Sequence, residues 1–215
     1  MDVEKILENL KRAVIEYDAE GAASWAEKAV EAKIDPIKAL DALTEGIRQV
    51  GDGFGKGELW LPDLVGAAEA MMHAMPIVEE EISRRGVKRK TLGTVVLGTV
   101  YGDIHSIGKT MVATLLTAAG FAVHDLGVNI IAEEFVEAIK KYKPDILAMS
   151  ALMTMTMPEQ RKVIKTLEKE GLRNKIKVMV GGGALTAEFA QSIRADGYEP
   201  TAIGAVELAK RLVQR

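Results

Sequence analysis

Between two glycines the chain sets an acid and an imidazole two residues apart, in the run Gly102-Asp103-Ile104-His105-Ser106-Ile107-Gly108. An imidazole that binds a metal through one ring nitrogen is steadied when a carboxylate accepts the N–H of the other, which fixes the tautomer and raises ligand basicity. Asp103 and His105 have the types and spacing for that arrangement. The same pair also suits a plainer use, capping the start of a following helix. Two more segments have unusual composition. In Ser150-Ala151-Leu152-Met153-Thr154-Met155-Thr156 the hydroxyls of Ser150, Thr154 and Thr156 stand among apolar side chains, and Gly181-Gly182-Gly183 lets backbone approach a ligand closely. Each again has an alternative: Thr156 as the cap of a helix beginning near Pro158, and the glycines as a tight strand-to-helix turn.

The elements that must position these segments follow from periodicity. From Thr91 onward short β-rich runs alternate with helical stretches. The strand candidates are Leu92–Thr99, Phe121–Leu126, Asp145–Ser150, Lys177–Val180 and a short last one at Gly197-Tyr198. This pattern predicts a flavodoxin-like or Rossmann-like domain with a five-stranded parallel sheet in the order 2-1-3-4-5. In such sheets ligands bind beyond the carboxyl ends of the strands, near the switch in strand order. The three unusual segments follow strands one, three and four, which are neighbours in that order. One large ligand can therefore touch all three.

Through residue 85 the period is helical. Val3, Ile6, Leu7, Leu10, Val14 and Tyr17 share one face, and an Ala-rich second helix is expected over 21–33. A third starts after Asp35-Pro36 and carries Ile37, Leu40, Leu43, Ile47 and Val50 inward, until Gly51, Gly53, Gly55 and Gly57 are expected to break it into a loop. The fourth opens at Leu61-Pro62, presents Leu61, Leu64, Val65, Ala68, Met71, Met72 and Met75 as a stripe, and ends at Arg84-Arg85-Gly86. Four short-looped helices predict a bundle over 1–85, joined by a linker at 86–91 to the α/β domain at 92–215.

Composition narrows the function classes. The 215 residues, 48% of them apolar, can bury a sizeable core. With 28 basic residues against 31 acidic ones, and Lys88-Arg89-Lys90 as the longest basic run, no footprint for nucleic acid is present. No stretch approaches the roughly 20 apolar residues of a membrane span, and the amphipathic, charged start does not read as a signal peptide, so a cytoplasmic location is expected. Zero cysteines exclude disulfides, thiolate metal sites and a cysteine nucleophile. A metal must be held by His, carboxylates or a cofactor. His73 and His124, the other two histidines, are far from His105 in sequence and are assigned no role.

In these motifs the chain resembles the cobalamin-binding region of methionine synthase and, over its full length, the small corrinoid proteins of methylamine, methanol and methoxy-aromatic methyltransferase systems. The run from Gly102 to Gly108 carries the family's Asp-x-His-x-x-Gly, Ser150-Ala151-Leu152 its Ser-x-Leu, and Val180-Gly181-Gly182 its Gly-Gly. The resemblance implies that His105 replaces the corrinoid's own base below cobalt, and that the displaced nucleotide tail runs past Ser150, Leu152 and the glycines to end near Tyr198. Val50-Gly51-Asp52-Gly53-Phe54-Gly55-Lys56-Gly57 followed by Leu61-Pro62 is similar to the segment that caps the upper corrin face, which implies shielding by Phe54, Leu61 and Leu64; ordinary bundle core is the alternative for these three. Many relatives have Asp where this chain has Ser106, and the Ser of the methionine synthase Asp–His–Ser relay falls here on Thr156.

What the resemblance implies is a methyl carrier whose cobalt cycles between Co(I) and methyl-Co(III), with proton uptake at the Asp103–His105 pair coupled to loss of the lower ligand. A substrate:corrinoid methyltransferase would load the methyl group, a second methyltransferase would remove it, and a reductive activase would serve the cobalt. Two other readings compete. A cobalamin-sensing regulator shares the two-domain plan but usually adds a DNA-binding segment. A P-loop nucleotide hydrolase is suggested by Gly108-Lys109-Thr110, yet five residues separate Gly102 from Gly108 where a P-loop has four.

Overall fold

The computed structural model describes residues 2–87 and 91–214. Lys88, Arg89 and Lys90, most of the expected linker, lie outside the described residues. The chain divides into two compact units, Met1–Lys90 and Thr91–Arg215.

The first unit contains α1 (Val3–Ile15), α2 (Ala19–Glu31), α3 (Pro36–Gly55) and α4 (Leu61–Arg85). Aspartates start three of them: the carboxylates of Asp2, Asp18 and Asp35 accept from the backbone N–H groups of Glu4, Gly21 and Ile37. The cap at Asp18 starts α2 two residues earlier than expected. Helix α4 packs on α2 and α3, and α1 on α2 and α3. Alanines on α2 (Ala22, Ala26, Ala29) and on α4 (Ala67, Ala68, Ala70) are buried, so these helices present small side chains to the core.

Two expectations for this unit are corrected. Helix α3 does not stop at Gly51; it continues through Gly53 to Gly55, and the chain turns only at Gly57, whose φ is +75°. Gly51 and Gly53 are buried, and a Cβ on Gly53 would lie 2.8 Å from Leu59 Cδ1. The glycines permit a close return of the chain, and the helix tolerates their cost of about 1 kcal/mol each. The stripe on α4 is also split. Leu64, Ala68 and Met71 are buried with Ala67, Ala74 and Val78, whereas Leu61, Val65 and Met72 are exposed.

The second unit alternates strands and helices: β1 (Thr94–Thr99), α5 (Ile107–Ala118), β2 (Ala122–Asp125), α6 (Ala132–Tyr142), β3 (Ile146–Ser150), α7 (Met157–Lys169), β4 (Lys177–Gly181), α8 (Ala187–Ser192), β5 (Gly197–Tyr198) and α9 (Ala202–Val213). The strands form one parallel sheet in the order β2-β1-β3-β4-β5, as the alternation predicts. One face buries Val96, Leu147, Met149, Val178 and Val180 under apolar residues of α6, α7 and α8. β1 and β3 start later than expected because Asp145 serves the margin: its carboxylate accepts the Thr94 N–H at 2.8 Å. Beyond the last strand positions, Ala151 N–H donates to Gly181 O and the chain after β4 runs against the chain after β3. Among the described residues no helix is long and apolar enough to cross a membrane.

Two outcomes follow. Gly182 has φ +127°, and a Cβ there would lie 1.9 Å from Ala151 O. Gly182→Ala should cost about 1–3 kcal/mol in urea unfolding, and Gly183→Ala less, since the added Cβ meets only the end of Leu152; equal costs would contradict this account. In α4 the buried Glu81 carboxylate holds Arg84 at 2.6 and 2.7 Å and Arg85 at 2.5 Å. The Arg84 hydrogen bond, aided by Arg85 and opposed by burial, lowers its pKa from 4.5 to about 2. The stabilisation is therefore complete above 4.5 and is lost as pH falls toward about 2. Glu81→Gln should lower the thermal midpoint at neutral pH, and the gap from wild type should close over that acid range; a gap independent of pH would refute it.

Candidate functional site

The turn after β1 begins at Tyr101-Gly102, where φ is +78° at Gly102, and drives Asp103 inward until its side chain has no exposure. A buried carboxylate is tolerated only with donors around it. Oδ1 accepts the His105 N–H at 3.0 Å and lies 2.7 Å from His105 Nδ1. Oδ2 accepts from the Thr156 hydroxyl at 2.7 Å, from Leu152 N–H at 2.8 Å and from Met153 N–H at 3.4 Å. Burial by itself would raise the Asp103 pKa. The hydrogen bonds from Thr156, the His105 and Leu152 N–H groups and the His105 ring outweigh it and hold the group well below the carboxylate range. Asp103 is thus a fixed anion. The contact with Oδ1 puts a proton on His105 Nδ1, so in the neutral ring the lone pair is on Nε2.

Thr156 occupies the N-cap position of α7, but its hydroxyl makes no cap bond; it turns instead to Asp103 and to Met153 O at 3.0 Å. Its φ of −95° and ψ of −20° are helical rather than the extended values of a capping residue, so of the two readings of Thr156 the contact with Asp103 is the one made. Ser106 stands at the N-cap of α5, also without a side-chain cap bond.

The structure brings the β1 and β3 segments together. His105 keeps 47% of its side chain exposed, and Ile104, Ile107, Leu152 and Met155 near it in the two segments are exposed apolar residues. Gly108 has open space where a Cβ would be. Ser150 ends β3 half-buried, and Thr154 is exposed in the turn before α7. Gly181 ends β4 beside Ser150, and Gly182 and Gly183 follow it against Ala151 and Leu152. Tyr198, on β5, donates its hydroxyl to Leu185 O at 3.0 Å. The remaining expected residues belong to the helical unit, where Phe54 is half-buried in the last turn of α3, Leu61 exposed at the start of α4, and Leu64 buried.

Several contacts around these loops escaped the sequence reading. Thr99 Oγ1 donates to His105 O at 3.1 Å. Asn129, after β2, accepts the Gly102 N–H at 2.8 Å. Lys109, 4% exposed, is ion-paired with Asp125 at the end of β2. That last contact also removes the P-loop reading, since the lysine is committed to a carboxylate inside the unit. Gly127-Val128-Asn129 was the one sequence signal for this loop, a turn signature after a strand. Among the described residues no group of three or more His, Asp or Glu is placed to hold a metal ion. A metal at His105 must bring most of its other ligands.

A single histidine of that kind, rimmed by apolar side chains and glycines, fits a metal inside a flat macrocycle. Comparison with known proteins bears on the class of ligand. Models of a B12 binding domain match residues 93–207 and, separately, residues 6–79. The chain is 43% identical over 208 residues to trimethylamine corrinoid protein 2 of Methanosarcina mazei, covering 96% of this chain and 95% of that one. Among solved structures it is similar to the methanol:cobalamin methyltransferase complex of Methanosarcina barkeri (TM-score 0.80, 33% identity, 98% of this chain and 80% of the matched chain). It is also similar to the monomethylamine corrinoid protein of that organism (TM-score 0.55, 30% identity, 98% and 100%). The chain belongs to the family of B12-binding corrinoid proteins.

Proposed function

We propose that this protein holds a corrinoid to which His105 Nε2 would supply the protein's ligand to cobalt, and carries a methyl group from a substrate:corrinoid methyltransferase to a second methyltransferase. One observation supports this above the others: His105 Nδ1 is engaged at 2.7 Å by a carboxylate that Thr156 and two backbone N–H groups immobilise, which leaves Nε2 for a metal. When bound, the corrinoid supplies a cobalt that accepts and gives up the methyl group, and the protein sets its ligation and access. Asp103 orients the imidazole and favours its ligating tautomer. Ile104, Ile107, Leu152 and Met155 would offer apolar surface to the macrocycle and exclude water around His105. Ser150, Thr154, Gly181, Gly182 and Gly183 would line the path of the displaced nucleotide tail, and Tyr198 its far end.

The methyl donor is chosen by the partner enzyme, and the relatives' names make methylated amines the first class to test. A reductive activase would restore cobalt that has been oxidised out of the cycle. A carrier serving such enzymes belongs in the cytoplasm.

The deciding experiment loads the full chain, made with heavy-nitrogen histidine, with cob(II)alamin and records its electron paramagnetic resonance spectrum. The axial-nitrogen splitting should change with the label in the wild type and lose that dependence in His105→Ala. A splitting that ignores the label in the wild type would refute histidine ligation. Absence of any corrinoid binding would refute the whole reading.

A further inference from the structure

On the reading that His105 is the cobalt ligand, we propose that Asn129 is a positioning residue for it: from the loop after β2, Asn129 fixes the backbone turn that carries Asp103 and thereby sets how far His105 can follow the metal. Asn129 grips both sides of that turn. Its Oδ1 accepts the Gly102 N–H at 2.8 Å, and its own N–H donates to Asp103 O at 3.0 Å. To do so it adopts φ +59°, a left-handed conformation that asparagine tolerates better than most residues.

The loop that carries Asn129 is itself well anchored. Thr99 N–H donates to Gly127 O and Ile130 N–H to Thr99 O, each at 3.0 Å, and Val100 and Ile130 form a parallel bridge. Asp125 Oδ1 accepts the Gly127 N–H at 2.8 Å, while its other oxygen pairs with buried Lys109. The histidine segment is thus tied to one loop at both ends, through Asn129 where it begins and through Lys109 where it enters α5. Thr156 holds the Asp103 side chain, and Asn129 holds the main chain. Without the second hold, the turn and its carboxylate can tilt together, and the imidazole with them.

Three forms of the full chain test this. Asn129→Gly keeps the left-handed backbone and its N–H but deletes the amide; Asn129→Asp keeps an acceptor oxygen in its place. Each is loaded with cob(II)alamin for the label-dependent splitting, and amide exchange over 102–105 is followed in the ligand-free protein. In Asn129→Gly the ratio of histidine-ligated to histidine-free cobalt should fall about fivefold, the net worth of one hydrogen bond, and exchange at 102–105 should quicken while circular dichroism is unchanged. Asn129→Asp should restore both. A wild-type ratio in Asn129→Gly, no rescue by Asn129→Asp, or a general loss of helical signal in Asn129→Gly would each overturn the positioning role. If the wild type itself shows no histidine nitrogen, the ligand assignment fails and this proposal falls with it, so the two failures are told apart by which protein shows them.

Discussion

The rest of the site depends on a buried charge at Asp103. A carboxylate with no exposure needs nearly every lone pair met, and the donors that meet it come from two separate loops. His105 supplies a ring nitrogen and an N–H from the loop after β1; Leu152, Met153 and Thr156 supply theirs from the loop after β3. The anion can exist only when those loops are in place. In a parallel sheet whose order puts β3 beside β1, they are neighbours at the carboxyl ends. Topology thus produces the proximity, and the carboxylate turns proximity into a defined geometry.

The cost of that arrangement falls on α7. A threonine at the N-cap ordinarily satisfies an orphan N–H of the first turn, worth about 1 kcal/mol. Thr156 has a helical rather than an extended conformation, in which its hydroxyl donates to Asp103 and its oxygen accepts no N–H of the first turn. The helix compensates within its first turn: Pro158 has no N–H to satisfy, and Glu159 places negative charge near the positive end of the helix dipole. Local helix stability has been traded for a fixed anion two loops away.

Much of this was legible in the sequence because it rests on short-range rules. Asp-x-His sits after the first strand, the glycine run after the fourth, and the alternation of strands and helices gives the sheet order. What was not legible depends on where distant chain segments meet. The glycines of α3 look like a loop until Leu59 is seen to lie against Gly53, which calls for a missing side chain rather than a missing helix. Cap preference alone reads Thr156 as a helix start, and its contact with Asp103 was legible only through the family resemblance. Asn129 sits in a turn signature that does not say what it holds, and its part is set by the backbone of a turn 27 residues earlier in the chain. Lys109 belongs to a local Gly-Lys-Thr pattern whose spacing already argued against a phosphate loop, but its actual partner, Asp125, is on the next strand and no local pattern shows it.

The exposed side of the site bears on the buried side. His105 is half open to water, its partner Asp103 is not, and the apolar side chains of Ile104, Ile107, Leu152 and Met155 are exposed. A flat ligand laid on those side chains removes apolar area from water and at the same time lowers the local dielectric around the Asp103–His105 pair. Electrostatic interactions strengthen when water is excluded. On the proposed ligation, binding over the apolar rim would stiffen the support beneath the imidazole, and a well-supported imidazole would hold a metal better at Nε2. The apolar rim and the buried anion have separate origins in the sequence, but in this geometry each raises the worth of the other.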